Sequence, residues 1–193
     1  MRGVPALSWP LRVSILCWFA FEVGLLARDL ANRKDRRGRD RGTRAIVSLT
    51  LVLSILIGWL LHRWAPALDT PAADAFAVVG VVVIWMGLAV RVWAVLTLAG
   101  SFSTFIQVDA DQAVVTRGPY RWVRHPSYTG LLLIALGLGL SAGNWLSLAV
   151  CVAGTTLGLV PRITVEESEL VRVLGERYRA YQRATRRLVP GLW

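Results

Sequence analysis

The sequence predicts an all-α, polytopic integral membrane protein, and three observations carry that expectation. Apolar residues make up 55% of the 193 positions. They are gathered into long blocks, and the mean hydropathy is +0.52, a pattern that a water-soluble core does not require. Of the 22 Lys and Arg residues, 18 fall in three segments between or after the apolar blocks.

The first block, Pro10 to Ala27, reads as a retained helix and not a cleaved signal peptide. Arg12 interrupts its start, Glu22 lies inside it, and a basic loop follows instead of a small-residue cleavage site. Ala45 to Leu61 and Ala75 to Ala99 are the next two candidate spans. The fourth block, Tyr128 to Val160, would be about 50 Å long as one helix, against a hydrocarbon core of about 30 Å. Gly143 and Asn144 near its middle therefore predict a tight turn, which makes about five membrane segments with the last two a helical hairpin. Beyond it, Arg162 to Arg187 reads as a cytoplasmic amphipathic helix. Ile163, Leu170, Leu174, Tyr178 and Tyr181 form its apolar stripe, with Arg172, Glu176, Arg179 and Arg183 opposite. In that phase Glu166 sits on the stripe edge with Arg162 one turn earlier, and Glu169 points to the solvated face.

Eight of the basic residues lie in Arg28 to Arg44, three in Gly100 to Tyr128 and seven in Arg162 to Trp193. Five segments put all three regions on one side, which the excess of positive charge marks as cytoplasmic, leaving the N-terminus outside. Topology and attraction to anionic headgroups in the lipid bilayer account for the net charge of +10, so no nucleic-acid partner is expected. A basic set with a single Lys suggests a GC-rich genome and a bacterial plasma membrane. Cys17 and Cys151 sit in separate apolar helices without metal-ligand spacing, and no metal site is expected. No repeat or long linker divides the chain, so 1–193 reads as one domain: three spans in 1–99, and nearly all concentrated chemistry in 100–193. The sequence leaves the oligomeric state open.

Two features inside the blocks need weighing. "GLGLSAG", Gly137 to Gly143, lacks the GxGxxG spacing of a nucleotide loop and lies in an apolar helix, where small residues serve close helix packing. Glu22 and Arg91 are ionisable groups within spans, each about two turns from the cytoplasmic end. They can pair with each other, or Arg91 can snorkel to the interface.

The richest chemistry is in "RGPYRWVRHPSYTG", Arg117 to Gly130. Pro119 and Pro126 restrict the backbone, and Pro126 suits the first turn of a helix. His125, Ser127 and Tyr128 then surround a helix N-terminus, which favours a carboxylate or other anion. Glu166, across the hairpin, offers the opposite charge, and a zwitterion such as an amino acid could be held between them.

"RHPSYTG" followed some forty residues later by "EESEL" and "GERYRAY" resembles the isoprenylcysteine carboxyl methyltransferase family, within a wider group that includes membrane phospholipid methyltransferases. The resemblance covers Ser101 to Trp193, including "FIQ", "AVVTRGPY" and "PGLW"; the first hundred residues share only hydropathy with it. It implies an enzyme that binds S-adenosyl-L-methionine at the cytoplasmic face and admits a lipophilic or prenylated acceptor from the bilayer. By that similarity Gln107, Gln112, Ala113, Val114, Val115, Tyr120, His125, Pro126, Ser127, Tyr128 and Glu166 contact the cofactor, and Arg162 contacts the acceptor. The segment Gln107 to Gln112 differs in length from eukaryotic members.

The best-known family reaction is carboxyl O-methylation of a prenylcysteine, with phospholipid amine or small thiol methylation as the nearest alternatives. A carboxylate acceptor is ionised at neutral pH, since its reference pKa is about 4, so positioning and desolvation can supply much of the catalysis. Two other classes stay open at this stage. Sterol reductases share a related C-terminal arrangement and would use NADPH, though their greater length argues against them. A nonenzymatic adaptor would present Arg28 to Arg44 as its interaction surface.

Overall fold

The computed structural model describes residues 9–31, 42–98 and 113–191. They form six helices: α1 (Trp9–Ala31), α2 (Thr43–Trp64), α3 (Ala73–Leu98), α4 (Pro126–Ser141), α5 (Trp145–Leu174) and α6 (Glu176–Ala184). Among the described residues, β-pairing is confined to the isolated bridges Asp69 with Asn144 and Val123 with Arg186. The all-helical expectation therefore holds.

α1, α3 and α5 are long and apolar enough to cross a membrane, and two shorter apolar stretches, Ala45–Leu61 and Pro126–Ser141, lie in α2 and α4. α4, with 16 residues, is about 24 Å long, short of a full hydrocarbon core. Leu16, Val78, Leu96 and Leu157 direct their side chains outward, with 65 to 72% of their surface exposed. In water such a surface would promote association; in a bilayer it faces acyl chains.

Between helices the same apolar solvent gives no hydrophobic advantage, so close approach has to come from small residues. A Cβ on Gly137 would lie 2.5 Å from the Gly80 carbonyl oxygen, and one on Gly130 would lie 2.6 Å from that of Gly87. α3 and α4 thus touch backbone to backbone, and "GLGLSAG" is a packing stripe. α2 and α5 meet similarly, with Gly154 against Ser54 and the Ser147 hydroxyl donating to the Gly58 carbonyl.

The turn predicted at Gly143 and Asn144 is present. Gly143 has a φ of 67°, and Asn144 caps α5 by accepting from the amides of Leu146 and Ser147 at 3.0 and 3.1 Å. Its amide nitrogen donates to the Ala65 carbonyl and to Asp69, both at 2.9 Å, which ties the α4–α5 turn to the α2–α3 connection. These two connections share one end of the bundle. The start of α2, residues 117–126 and the C-terminal segment gather at the other.

The C-terminal tail departs from expectation. α5 is one unbroken 30-residue helix from Trp145 to Leu174, so the second arm of the hairpin and the start of the amphipathic tail are the same element. Pro161 lies within it, removing one backbone donor without ending the helix. The break comes at Gly175, whose φ of 58° few other residues accept. α6 then runs nine residues with Tyr178 and Tyr181 buried and Glu176, Arg179 and Arg183 exposed. The expected stripe survives across the break because Ile163, Leu174, Tyr178 and Tyr181 are all buried.

Candidate active site at the basic end of the bundle

Local sequence dictates how the site loop enters α4. Gly118 has a φ of 58°, and a Cβ there would lie 2.7 Å from the Thr97 hydroxyl, so glycine alone fits; it begins a short 3-10 turn, Gly118–Arg121, with Pro119 second. Proline disfavours helical geometry in the residue before it, which puts His125 outside the helix as the N-cap and Pro126 at the first position of α4. The backbone amides of Arg124 and His125 donate to the carbonyls of Arg186 and Arg187 at 2.7 and 3.0 Å, so the C-terminal segment straps this entry from outside.

His125 and Tyr128, one turn apart, stack with ring centroids 5.5 Å apart and planes within 12°. The Tyr128 hydroxyl donates to Glu166 at 2.6 Å and accepts from Arg162 Nε at 3.1 Å. Arg162 Nη1 donates to the Thr43 hydroxyl at 3.0 Å. A hydrogen-bonded row thus runs Thr43, Arg162, Tyr128, Glu166, drawing on α2, α5 and α4. Arg162 is buried, whereas the Glu166 side chain keeps 27% of its surface exposed. Its Oε1 lies 3.9 Å from His125 Nδ1, beyond hydrogen-bond range, and so retains acceptor capacity.

Behind the row sits a second carboxylate. Glu167 is buried and bound by Arg124 Nε at 2.7 Å, His125 Nε2 at 3.2 Å, and Arg187 Nε at 3.1 Å, with Gln182 Nε2 at 3.4 Å. An ionised carboxylate only accepts, so this contact puts a proton on His125 Nε2. Arg124 also donates to the carbonyls of Gln182 and Thr185. Glu167 therefore fastens α5, the site loop and the C-terminal strap together.

The remaining candidate residues are placed as follows. Gln107 and Gln112 lie outside the described residues. Ala113, Val114 and Val115 lie outside any helix or strand, with Val114 packed against Leu174, Tyr178 and Tyr181. Tyr120 is buried, and its carbonyl accepts from the Tyr181 hydroxyl at 2.6 Å. Burial, reinforced by the Glu166 charge, pushes the Tyr120 phenol well above its ordinary range, so it is a hydrogen-bond donor at neutral pH and no base. The Ser127 hydroxyl turns away from the row and accepts from Arg91 at 2.7 Å. Arg91 is bound to Glu22 through two contacts of 2.6 and 2.7 Å, so pairing, not snorkelling, accommodates both charges.

One expectation needs correction, and two residues were missed. Glu169 is buried, not solvated, and accepts from Arg172 at 2.8 Å. It follows Arg162 by seven residues, and at 100° per residue the two are within about 20° of the same helix face. Glu167 was missed although the phase held the signal: it lies about 40° from Ile163, inside the apolar stripe, closer than Glu166 at about 60° on the other side. Thr43 carried no sequence signal, because only the fold brings the first turn of α2 beside Arg162.

The fold and site define a helical membrane protein with a charge-lined polar site where the fourth and fifth helices meet a basic loop. The family model described as the isoprenylcysteine carboxyl methyltransferase (ICMT) family matches residues 78–172, which include every member of the row except Thr43. The protein-S-isoprenylcysteine O-methyltransferase of Tribolium castaneum is 31% identical over 114 residues, covering 58% of this chain and 41% of that protein. Its counterpart in Xenopus laevis is 29% identical over 144 residues, covering 70% and 49%. The solved structure of the eukaryotic intramembrane Ras methyltransferase of that name superposes with a TM-score of 0.63 at 28% identity, over 75% of this chain and 52% of that one. The chain spans about half the length of these relatives or less.

Proposed function

We propose that this protein transfers a methyl group from S-adenosyl-L-methionine to the carboxylate of a lipophilic, prenylcysteine-like acceptor reached from the bilayer. The observation that carries the reading is the row Arg162, Tyr128, Glu166 beside the His125 ring, lying within the segment that matches the family. The residues suit the cofactor. Glu166 has an exposed edge and spare acceptor capacity for its ammonium group, and the first turn of α4 favours its carboxylate. Residues 113–115 and Tyr120 would line the approach, with Gln107 and Gln112 ahead of them.

When bound, the cofactor supplies an activated sulfonium methyl. What the chain itself has to do is hold the acceptor in line and keep water out. The acceptor carboxylate is ionised at neutral pH and needs no base. Arg162, between Thr43 and Tyr128, would orient it through a planar, always-charged guanidinium. The neutral Tyr120 phenol fits a reaction without base catalysis.

In this reading the domain is the whole chain, 1–193, with five spans, the basic segments cytoplasmic, the N-terminus outside, and a bacterial plasma membrane as its setting. Calorimetric titration of the purified protein with S-adenosyl-L-methionine and with NADPH, followed by labelled-methyl incorporation into a prenylated cysteine, tests the proposal. Binding of NADPH alone would reassign the protein to the reductases, and binding of neither to the adaptors. Incorporation only into phospholipid amine or a thiol would move the acceptor and keep the donor.

A further inference from the structure

Arg91 is an arginine inside a membrane helix with 5% of its surface exposed. Its Nε and Nη2 engage both oxygens of Glu22 on α1, and its Nη1 donates to the Ser127 hydroxyl at 2.7 Å and the Ser127 carbonyl at 3.2 Å. Trp18 Nε1 adds a hydrogen bond of 3.0 Å to Glu22. One guanidinium therefore joins α1, α3 and the first turn of α4.

Its backbone belongs to the same joint. A Cβ on Gly130 would lie 2.9 Å from Arg91 Cβ, so α4 rests directly on Arg91 one turn beyond His125 and Pro126. Ser127 stands between Pro126 and Tyr128, and its side chain is committed to Arg91 while Tyr128 belongs to the row.

For stability alone this is a poor arrangement. A buried ion pair loses about as much in desolvation as it gains in attraction, and well-packed apolar residues often replace it without loss. What a planar fork adds is geometry, since it presents donors in fixed directions to two partners at once. Glu22 also neutralises the guanidinium, which would otherwise repel a cation bound on the far side of Ser127.

We propose that Arg91, held by Glu22, is a positioning residue that sets the first turn of α4 and thereby the placement of His125 and Tyr128 for the methyl donor. This rests on the cofactor reading above. The test compares wild-type protein with Arg91→Lys and with the apolar double replacement Glu22→Leu/Arg91→Met, all in one detergent. The double replacement is expected to keep its apparent Tm yet bind S-adenosyl-L-methionine about ten-fold more weakly, the factor that about 1.4 kcal/mol represents. Arg91→Lys, which keeps the charge and loses the fork, is expected to weaken it as well, while KM for the acceptor stays within two-fold. Hydrogen exchange at residues 127–130 is expected to rise in both variants, with residues 142–148 at the opposite end unchanged.

Wild-type affinity in the double replacement overturns the proposal, and so does exchange that rises equally at both ends, which would mark general loosening. If the double replacement does not fold, Arg91→Lys carries the comparison. If wild-type protein binds no S-adenosyl-L-methionine, the donor assignment fails by itself, and the exchange pattern still decides whether Arg91 sets the turn.

Discussion

Glu166 and Glu167 are neighbours in sequence, and neutralising each is expected to damage a different property. Glu167 is buried among Arg124, His125 and Arg187, so Glu167→Gln strips the charge from a cluster largely closed to solvent. Breaking a buried ionic cluster by removing one partner costs about 3–5 kcal/mol. The amide retains one acceptor, and Arg124 keeps the carbonyls of Gln182 and Thr185, which favours the low end. At about 2–4 °C per kcal/mol for a chain of this size, a loss of about 3 kcal/mol lowers the apparent Tm by about 6–12 °C. Glu166 keeps 27% exposure and accepts a hydrogen bond from Tyr128, which a glutamine oxygen can still accept. Glu166→Gln is expected to cost about 1 kcal/mol or less in stability. It removes the negative charge proposed to meet the cofactor's ammonium, and S-adenosyl-L-methionine affinity is expected to fall by about ten-fold or more, as loss of a charge-assisted hydrogen bond implies. Thermal unfolding and calorimetry on both variants in one detergent read the two quantities. A large Tm loss in Glu166→Gln with full affinity, or equal behaviour of the two variants, would refute the division of labour.

Three further outcomes follow from the same geometry. Arg162→Lys keeps the charge and loses the planar fork between Tyr128 and Thr43, so labelled-methyl transfer to a lipophilic acid is expected to fall steeply while calorimetric affinity for S-adenosyl-L-methionine changes little. Cysteines introduced at the exposed positions Ala67 and Arg179 are expected to label from opposite sides of the membrane, Ala67 outside and Arg179 inside; labelling of Arg179→Cys from outside contradicts the proposed topology. Burial pushes the Tyr181 phenol up to about 12 from an ordinary 10.0. Its folded-state pKa is raised, so its contribution is complete below pH 10.0 and is lost as pH rises toward about 12. Tyr181→Phe is expected to flatten the fall of apparent Tm over that range.

Much of the fold was legible because its determinants are local. Hydrophobic blocks mark α1 to α5, and Gly143 with Asn144 marks the hairpin turn through a positive φ and an N-cap. Pro126 marks the start of α4 for an equally local reason, since the ring excludes His125 from the helix. The tail was misread where local signals were ambiguous. Read from sequence, the apolar block ends at Val160 and the tail begins as a separate helix at Arg162, yet α5 runs through both, and Gly175 breaks the chain instead. The first hundred residues were read as poor in chemistry. Glu22, Thr43 and Arg91 nevertheless reach the site end, because helix packing brings together groups 36 to 119 positions distant from their partners.

By itself, then, the sequence determined an all-helical membrane chain, the position of its loop and turn residues, and the cluster His125, Tyr128, Arg162 and Glu166. Each of these follows from a hydrophobic period, a proline or glycine constraint, or a motif with its own spacing. Only the tertiary structure decided that Glu167 fastens the strap while Glu166 keeps an open edge, that Ser127 answers to Arg91, and that Glu169 is buried. The physical reason is that a side chain's role depends on where its helix face meets other helices. A rotation of about 100° separates adjacent residues, and the partners waiting at each angle come from distant parts of the chain.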